Sequence, residues 1–297
     1  MSIIVTGATG FLGKKLINKL IDKKYRVIAV VRRKKLIPKN ILNNPNITWI
    51  KCNLEKDVIK LPNKIKIKAA FHLAGATSGK NLSKKDYFKK NELTTINFLK
   101  SIQNKTKRII HMSSQVVYGN PNKLNIIEEH PITDFPLPYA MSKINSETYI
   151  KNSQKKFNNM SIILRLSGFI EGGGNIDYII NQALKNREIL LYSNGNVCRD
   201  YLPVDNAIEV FIKCIKVKHT PKCLVLNLSS GKALASLKVA NIICSILNSK
   251  SIIKLSNKKA QIENFSLNVE KSKNIFNMKP INMTYEIKKY SISRKNL

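Results

Sequence analysis

Apolar and polar positions along this chain alternate between two periods. "SIIVTG" is a short apolar run closed by Gly7, and behind it Phe11, Leu12, Leu16, Leu20 and Ile21 recur at helical spacing. The same alternation continues: strands are expected at Val27 to Val31, Ile47 to Lys51 and Ala69 to Leu73, a long helix from about Ser83 to Ile102, and a strand in "KRIIHMSS". Strands separated by helices of this length require right-handed crossovers, so the first part of the chain predicts an α/β, doubly wound, mostly parallel sheet. After "SIILRLSG" the rhythm loosens at the glycine-rich break "EGGGN". Helices are expected near 175–187, 204–216 and 236–247, with short strands at 189–192 and 224–228 and a loosely held tail in "KKYSISRKNL". The division that follows is a sheet domain over 1–166 and a smaller, mixed α/β lobe over 167–297, with segments near 200–225 returning to the first.

Composition narrows the classes. With 297 residues, 43% of them hydrophobic, the chain can bury one large core or two modest ones, which argues against disorder. Cys52, Cys198, Cys214, Cys223 and Cys244 are odd in number, scattered and without a C-x-x-C pair, so they read as core filler in a reducing compartment rather than as disulfides or a zinc site. No run approaches the roughly 18 apolar residues of a membrane span, and the first strand begins at Ser2, which leaves no room for a signal peptide. A cytoplasmic protein with no membrane partner is the expectation. The net charge of +34 invites a nucleic-acid reading, but the lysines are spread through every segment together with Ile and Asn. A solvated cationic surface whose field attracts small polyphosphates fits that spread better than a nucleic-acid partner.

Chemistry enters at "TGATGFLG". Gly7, Gly10 and Gly13 fall at the junction of the first strand and first helix, where free N–H groups and the positive end of the helix dipole meet a pyrophosphate. The spacing differs from G-x-G-x-x-G. The second strand ends in "RVIAVVRRKK", a place that lies beside the adenosine ribose in a dinucleotide-binding sheet. An acid there would accept the ribose hydroxyls of NAD; Arg32 and Arg33 instead suit the 2′-phosphate of NADP, or else are surface charge. NADP is therefore expected, with NAD possible. Farther on, Tyr139 and Lys143 in "YAMSK" are one helical turn apart, so the ammonium is placed to lower the phenol's pKa, and Ser114 can hydrogen-bond the same reacting oxygen. Such a trio moves a proton at a carbonyl or alcohol while a nicotinamide takes or gives hydride. His72 and His111 read as packed strand-end residues, and His130 and His219 as loop residues. None has metal-ligand companions, so no metal is expected.

With these residues in view, the chain resembles the extended short-chain dehydrogenase/reductase family of nucleotide-sugar epimerases, dehydratases and ketoreductases. "TGATGFLG", "NL" at 53–54, "HLAGA" at 72–76, Asn91 in "YFKKNELTTINFL", "SSQVVYG", "YAMSK", "LRLSGFIEGGG", "CRDYLPVDNA" and "NLSSGKALASL" appear in the family's order over about residues 2–283. The resemblance implies a Rossmann domain followed by a substrate lobe. It makes Ser114, Tyr139 and Lys143 the catalytic trio, with Tyr139 the proton donor and Lys143 also on the nicotinamide ribose. Gly7, Gly10, Phe11, Leu12 and Gly13 would form the phosphate turn. Asn53 and Leu54 would line the adenine, although many relatives have Asp at the first position. Leu73, Ala74 and Gly75 would follow the cofactor, and Asn91 would hold the site together. Gln115, Gly168 and Arg199 would touch a nucleotide-sugar substrate, Arg199 through its phosphates unless it makes an inter-lobe ion pair with Asp200 or Asp205. Gln115 and Val116 stand where dehydratases carry an acidic pair, which argues against elimination of water. An NADPH-dependent 4-ketoreductase of a nucleotide-activated deoxysugar is the reaction expected, with a nucleotide-sugar 4-epimerase as the enzymatic alternative and a dinucleotide-fold RNA-binding protein as the non-enzymatic one. Relatives pair as homodimers through two long helices, here near 84–103 and 138–156.

Overall fold

The structure is a computed structural model of the whole chain; it describes every residue except 34–36, 38, 79–81, 133–136, 158, 219–221, 261–262 and 297. Lys34, Lys35 and His219 thus lie outside the described residues. In chain order the first elements are β1 (Ser2–Thr6), α1 (Phe11–Asp22), β2 (Val27–Val31), α2 (Lys39–Leu42), β3 (Ile47–Lys51), β4 (Ile67–His72), α3 (Lys84–Tyr87), α4 (Thr94–Ile102), β5 (Arg108–Ser114), β6 (Lys123–Ile126), α5 (Pro138–Phe157) and β7 (Met160–Leu166). Then follow β8 (Gly168–Phe169), α6 (Asn175–Leu184), β9 (Ile189–Leu191), β10 (Cys198–Arg199), β11 (Tyr201–Leu202) and α7 (Val204–Cys214). The chain closes with β12 (Cys223–Leu228), β13 (Leu234–Ala235), α8 (Ser236–Leu247), β14 (Ile253–Leu255), β15 (Phe265–Leu267), α9 (Glu270–Phe276) and α10 (Met283–Lys295).

Contacts divide these elements into two compact units. The first comprises 1–117, 133–165 and 208–226, the second 118–132, 166–207 and 227–297. The first unit is built on a seven-stranded sheet of order β12-β7-β5-β4-β1-β2-β3, with parallel pairing from β3 through β2, β1 and β4 to β5. The inner strands are β-branched or apolar runs because both their faces are covered, β2 being buried at all five positions, whereas β3 at the sheet edge is buried only at Ile47. Val27 pairs with Ile3 on one side and Ile47 on the other. The strand order reverses between β1 and β4, and at such a switch point the carboxyl ends of adjacent strands part to leave a crevice.

In the second unit β13, β10, β15 and β6 form a four-stranded sheet, and two further strand pairs join β8 to β11 and β9 to β14. Residues 118–132 belong here because β6 pairs with β15 and the Asn227 amide donates to the Ile126 carbonyl at 2.8 Å. The segment expected as a loose tail is instead the helix α10. Asn282 caps it by accepting from the Tyr285 N–H, Met283 and Ile287 are buried, and the Tyr290 hydroxyl donates to Asp177 at 2.6 Å. Cys214 is buried, and the half-buried Cys52 and Cys223 pack against the core of the first unit; Cys198 and Cys244 are half-exposed. Among the described residues no helix is long and apolar enough to cross a membrane, and no cluster of acidic, His or Cys side chains could hold a metal ion.

Candidate active site

The switch point of the first unit opens into a cavity of about 440 Å³. Its walls come from the loop after β1 (Gly7, Thr9, Gly10), the end of β2 (Val30, Val31, Arg32), the end of β3 (Cys52, Asn53, Leu54, Glu55), the loop after β4 (Leu73 to Ala76), and Leu82, Lys90 and Thr94. Gly7 has φ +67°, and a Cβ there would stand 2.8 Å from the backbone of Leu73 and Ala74, so only glycine lets the two loops close on each other. Gly13 is needed for packing: a Cβ would fall 2.2 Å from the Gly7 carbonyl. Gly10 caps α1 without any side-chain acceptor, which leaves the first N–H groups of that helix directed at the cavity mouth. A shaped apolar crevice ending in an uncapped helix N-terminus fits a dinucleotide. Phe11 and Leu12, at the start of α1, together with Gly13, Arg33 and Asn91, are not part of the cavity wall.

Beside the end of β2, which itself carries no acid, the cavity wall holds one from a neighbouring strand. The Glu55 carboxylate accepts from Arg32 Nη1 at 2.9 Å and from Lys90 Nζ at 3.3 Å. Its backbone N–H is held by Asn53 Oδ1 at 3.2 Å. The acid comes from the end of β3, not β2, which is why reading β2 alone missed it; its signal was the Glu directly after "NL".

The trio comes together at the end of β5 and the first turn of α5. Ser114 hydrogen-bonds the Tyr139 phenol, and the Tyr87 ring lies 5.5 Å from that of Tyr139. Burial pushes the phenol up to about 12, with the Ser114 bond pulling the other way. The expected lowering by Lys143 is absent because the ammonium donates instead to the Met112 carbonyl at 2.9 Å. Burial brings Lys143 down to about 8, opposed by the negative charge of Glu147 one turn along α5. Glu147 in turn accepts from Ser113 Oγ at 2.6 Å and from Arg165 Nε at 3.0 Å and Nη2 at 2.8 Å. A buried ion pair thus braces both the serine strand and the lysine.

Asn91 sits in a π-helical turn (Phe88–Leu93) that interrupts the expected long helix between α3 and α4. The wider turn brings its side chain inward, where Oδ1 accepts from the Ala76 N–H at 2.7 Å and Nδ2 donates to Ser142 Oγ at 2.8 Å. Gln115 begins the 3-10 turn after β5, and its buried amide oxygen has no hydrogen-bond partner among the described residues. His72 and His111 are both buried and stacked with ring centroids 5.5 Å apart. In the second unit, Gly168 is exposed on β8 with open space where a Cβ would stand, and Arg199 lies on β10 beside Leu234 and Phe265. Asp205 pairs with Lys289 at 3.4 Å.

Comparisons with known proteins agree with this layout. The model of the NAD dependent epimerase/dehydratase family matches residues 3–228. A putative UDP-glucose 4-epimerase of Methanocaldococcus jannaschii is 28% identical over 242 residues, 77% of each chain. The dTDP-4-dehydro-6-deoxyglucose reductase of Escherichia coli is 24% identical, over 84% of this chain and 83% of that one. Among solved structures, a UDP-glucose 4-epimerase of Thermotoga maritima with UDP-glucose superposes with a TM-score of 0.84 at 19% identity, over 100% of this chain and 99% of that one. A UDP-glucuronic acid 4-epimerase of Bacillus cereus in complex with NAD gives 0.83 at 19% identity, over 99% and 100%. At these identities the structures show a shared fold.

Proposed function

Because the chain belongs to the NAD dependent epimerase/dehydratase family, we propose that it is a nucleotide-sugar 4-epimerase working with retained NAD. The observation that carries this over a reductase is the Arg32–Glu55 ion pair: a guanidinium already matched by a carboxylate is a poor host for a second anion, whereas that carboxylate can accept ribose hydroxyls. UDP-hexoses are the first substrates to try, given the curated relatives called UDP-glucose 4-epimerases.

Bound NAD would supply reversible hydride acceptance from sugar carbon 4. The chain's own part is the proton. Tyr139 rests as a neutral phenol, ready to donate to the 4-oxygen of a keto sugar, and Ser114 steadies the same oxygen. In the opposite direction the phenol must lose its proton. Lys143 stays cationic below about pH 8 and favours that loss once it turns from Met112 toward the phenol. Gln115 offers neither an acid nor a base, which disfavours dehydration. A two-fold dimer through the helical segments 84–102 and α5 belongs to the same reading; Phe88 and Met141 are exposed there.

The second reading, an NADPH-dependent 4-ketoreductase, is favoured by Arg32 on the cavity wall and by the reductase relative. Denaturing the purified protein and identifying the released nucleotide separates the two. Near-stoichiometric NAD supports the epimerase; an empty protein that binds NADPH more tightly than NADH overturns it in favour of the reductase.

A further inference from the structure

Five side chains beneath the cavity are linked in one string by hydrogen bonds and by the main chain of Asn91. The Ala74 N–H, on the cavity wall, donates to Thr6 Oγ1 at 3.2 Å, and Thr6 Oγ1 lies 2.9 Å from His72 Nδ1. His72 Nε2 lies 3.0 Å from Thr95 Oγ1, which donates to the Asn91 carbonyl at 2.7 Å. Asn91 then reaches Ser142, whose hydroxyl donates to the Tyr139 carbonyl at 2.7 Å.

The proton order along this string is fixed by its ends. Thr95 spends its hydroxyl proton on Asn91, so it accepts at His72 and Nε2 must carry the hydrogen; Nδ1 then accepts from Thr6, which is free to accept from Ala74. His72 is 1% exposed, stacked on Phe98 at 4.5 Å, and burial keeps it neutral, its pKa down to about 3. A neutral imidazole with one donor and one acceptor is the group this position demands, since a hydroxyl or an apolar side chain cannot bridge both threonines.

We propose that His72 is a positioning residue that ties the cofactor-side turn after β4 to the first turn of α5, so that dinucleotide binding and placement of Tyr139 share one rigid element. The proposal rests on the cofactor and trio assignments above. Thr95 lines no part of the cavity, yet its hydroxyl becomes part of the cofactor's seat.

The test is a double-mutant cycle with Thr6→Val and Thr95→Val, read by calorimetric binding of NAD, with the tautomer of His72 read from its ring nitrogens by NMR in the full chain. Each single variant is expected to weaken NAD binding about fivefold, and the pair no more than the worse single, the signature of residues acting through one another. The His72 ring is expected as the Nε2–H tautomer from pH 5 to 8, and as a mixture of tautomers in Thr95→Val. Unchanged binding in Thr95→Val, losses that multiply, or an Nδ1–H ring in the parent would overturn the proposal. If the parent binds no dinucleotide, the cofactor reading fails, while the tautomer result still decides the string.

Discussion

Replacing Glu147 with Gln should be among the most damaging isosteric changes in the chain. The carboxylate is 1% exposed and Arg165 3%, and they share two hydrogen bonds, with Ser113 adding a third and Lys151 a weak fourth at 3.5 Å. Gln keeps the volume but presents an amide N–H toward donors and leaves the guanidinium buried without a counter-charge. Breaking a pair of this kind by removing one partner costs about 3–5 kcal/mol. For a chain of this size that corresponds to about 6–10 °C in melting temperature, at about 2 °C per kcal/mol. Burial alone would raise the Glu147 pKa, but Arg165, Ser113 and Lys151 hold it below its usual 4.5. Its stabilisation is therefore complete above about pH 4.5 and fades as pH falls through the lower folded value. Thermal unfolding of parent and E147Q should show the full gap at pH 7 and a narrowing gap below 4.5. Glu147→Leu with Arg165→Met should recover most of the loss, because no buried charge is then left alone. A loss under about 1 kcal/mol for E147Q, or a double variant that costs the sum, would refute the reasoning.

Other consequences are equally concrete. Glu55→Gln frees Arg32 and should shift the NADP:NAD affinity ratio about fivefold to tenfold toward NADP by titration, whereas Arg32→Ala should not weaken NAD; an unchanged ratio would dissociate the pair from cofactor choice. Gly7→Ala, forced to a left-handed backbone with a Cβ against Leu73, should lose about 1–3 kcal/mol of stability in urea melts and most dinucleotide affinity. Burial holds Lys143 at about 8 against its usual 10.5, so between those values the unfolded chain binds the extra proton and parent stability rises with pH, by up to about 3 kcal/mol; Lys143→Met should lack that rise in melts from pH 8 to 10. Tyr139→Phe should abolish turnover and leave the melting temperature within about 3 °C, the Phe retaining the ring beside Tyr87.

The inner strands of the first unit were legible because they are buried on both faces and so read as apolar runs. The Tyr139–Lys143 pair was legible because its spacing is a helical turn, with Ser114 supplied from the end of β5. What the sequence hid is set by neighbours distant along the chain. Glu55 matters only because β3 lies beside β2, and His72 only because Thr6 and Thr95 flank it from β1 and α4. The π-turn at Asn91 leaves no trace in periodicity, since one residue of slip is absorbed within the apolar face. The helix α10 was hidden because few apolar positions anchor it. An N-cap and the bonds from Tyr290 and Arg294 to Asp177 do the rest.

The central claim is that this chain oxidises and re-reduces one carbon of a nucleotide sugar with a dinucleotide it already holds. The direct measurement is incubation of the purified protein with a UDP-hexose deuterated at carbon 4 and no added dinucleotide, followed by mass spectrometry and NMR of the product. The account predicts the inverted sugar with its deuterium retained at carbon 4. No conversion, or an inverted sugar carrying solvent-derived or unlabelled hydrogen at that carbon, would contradict it.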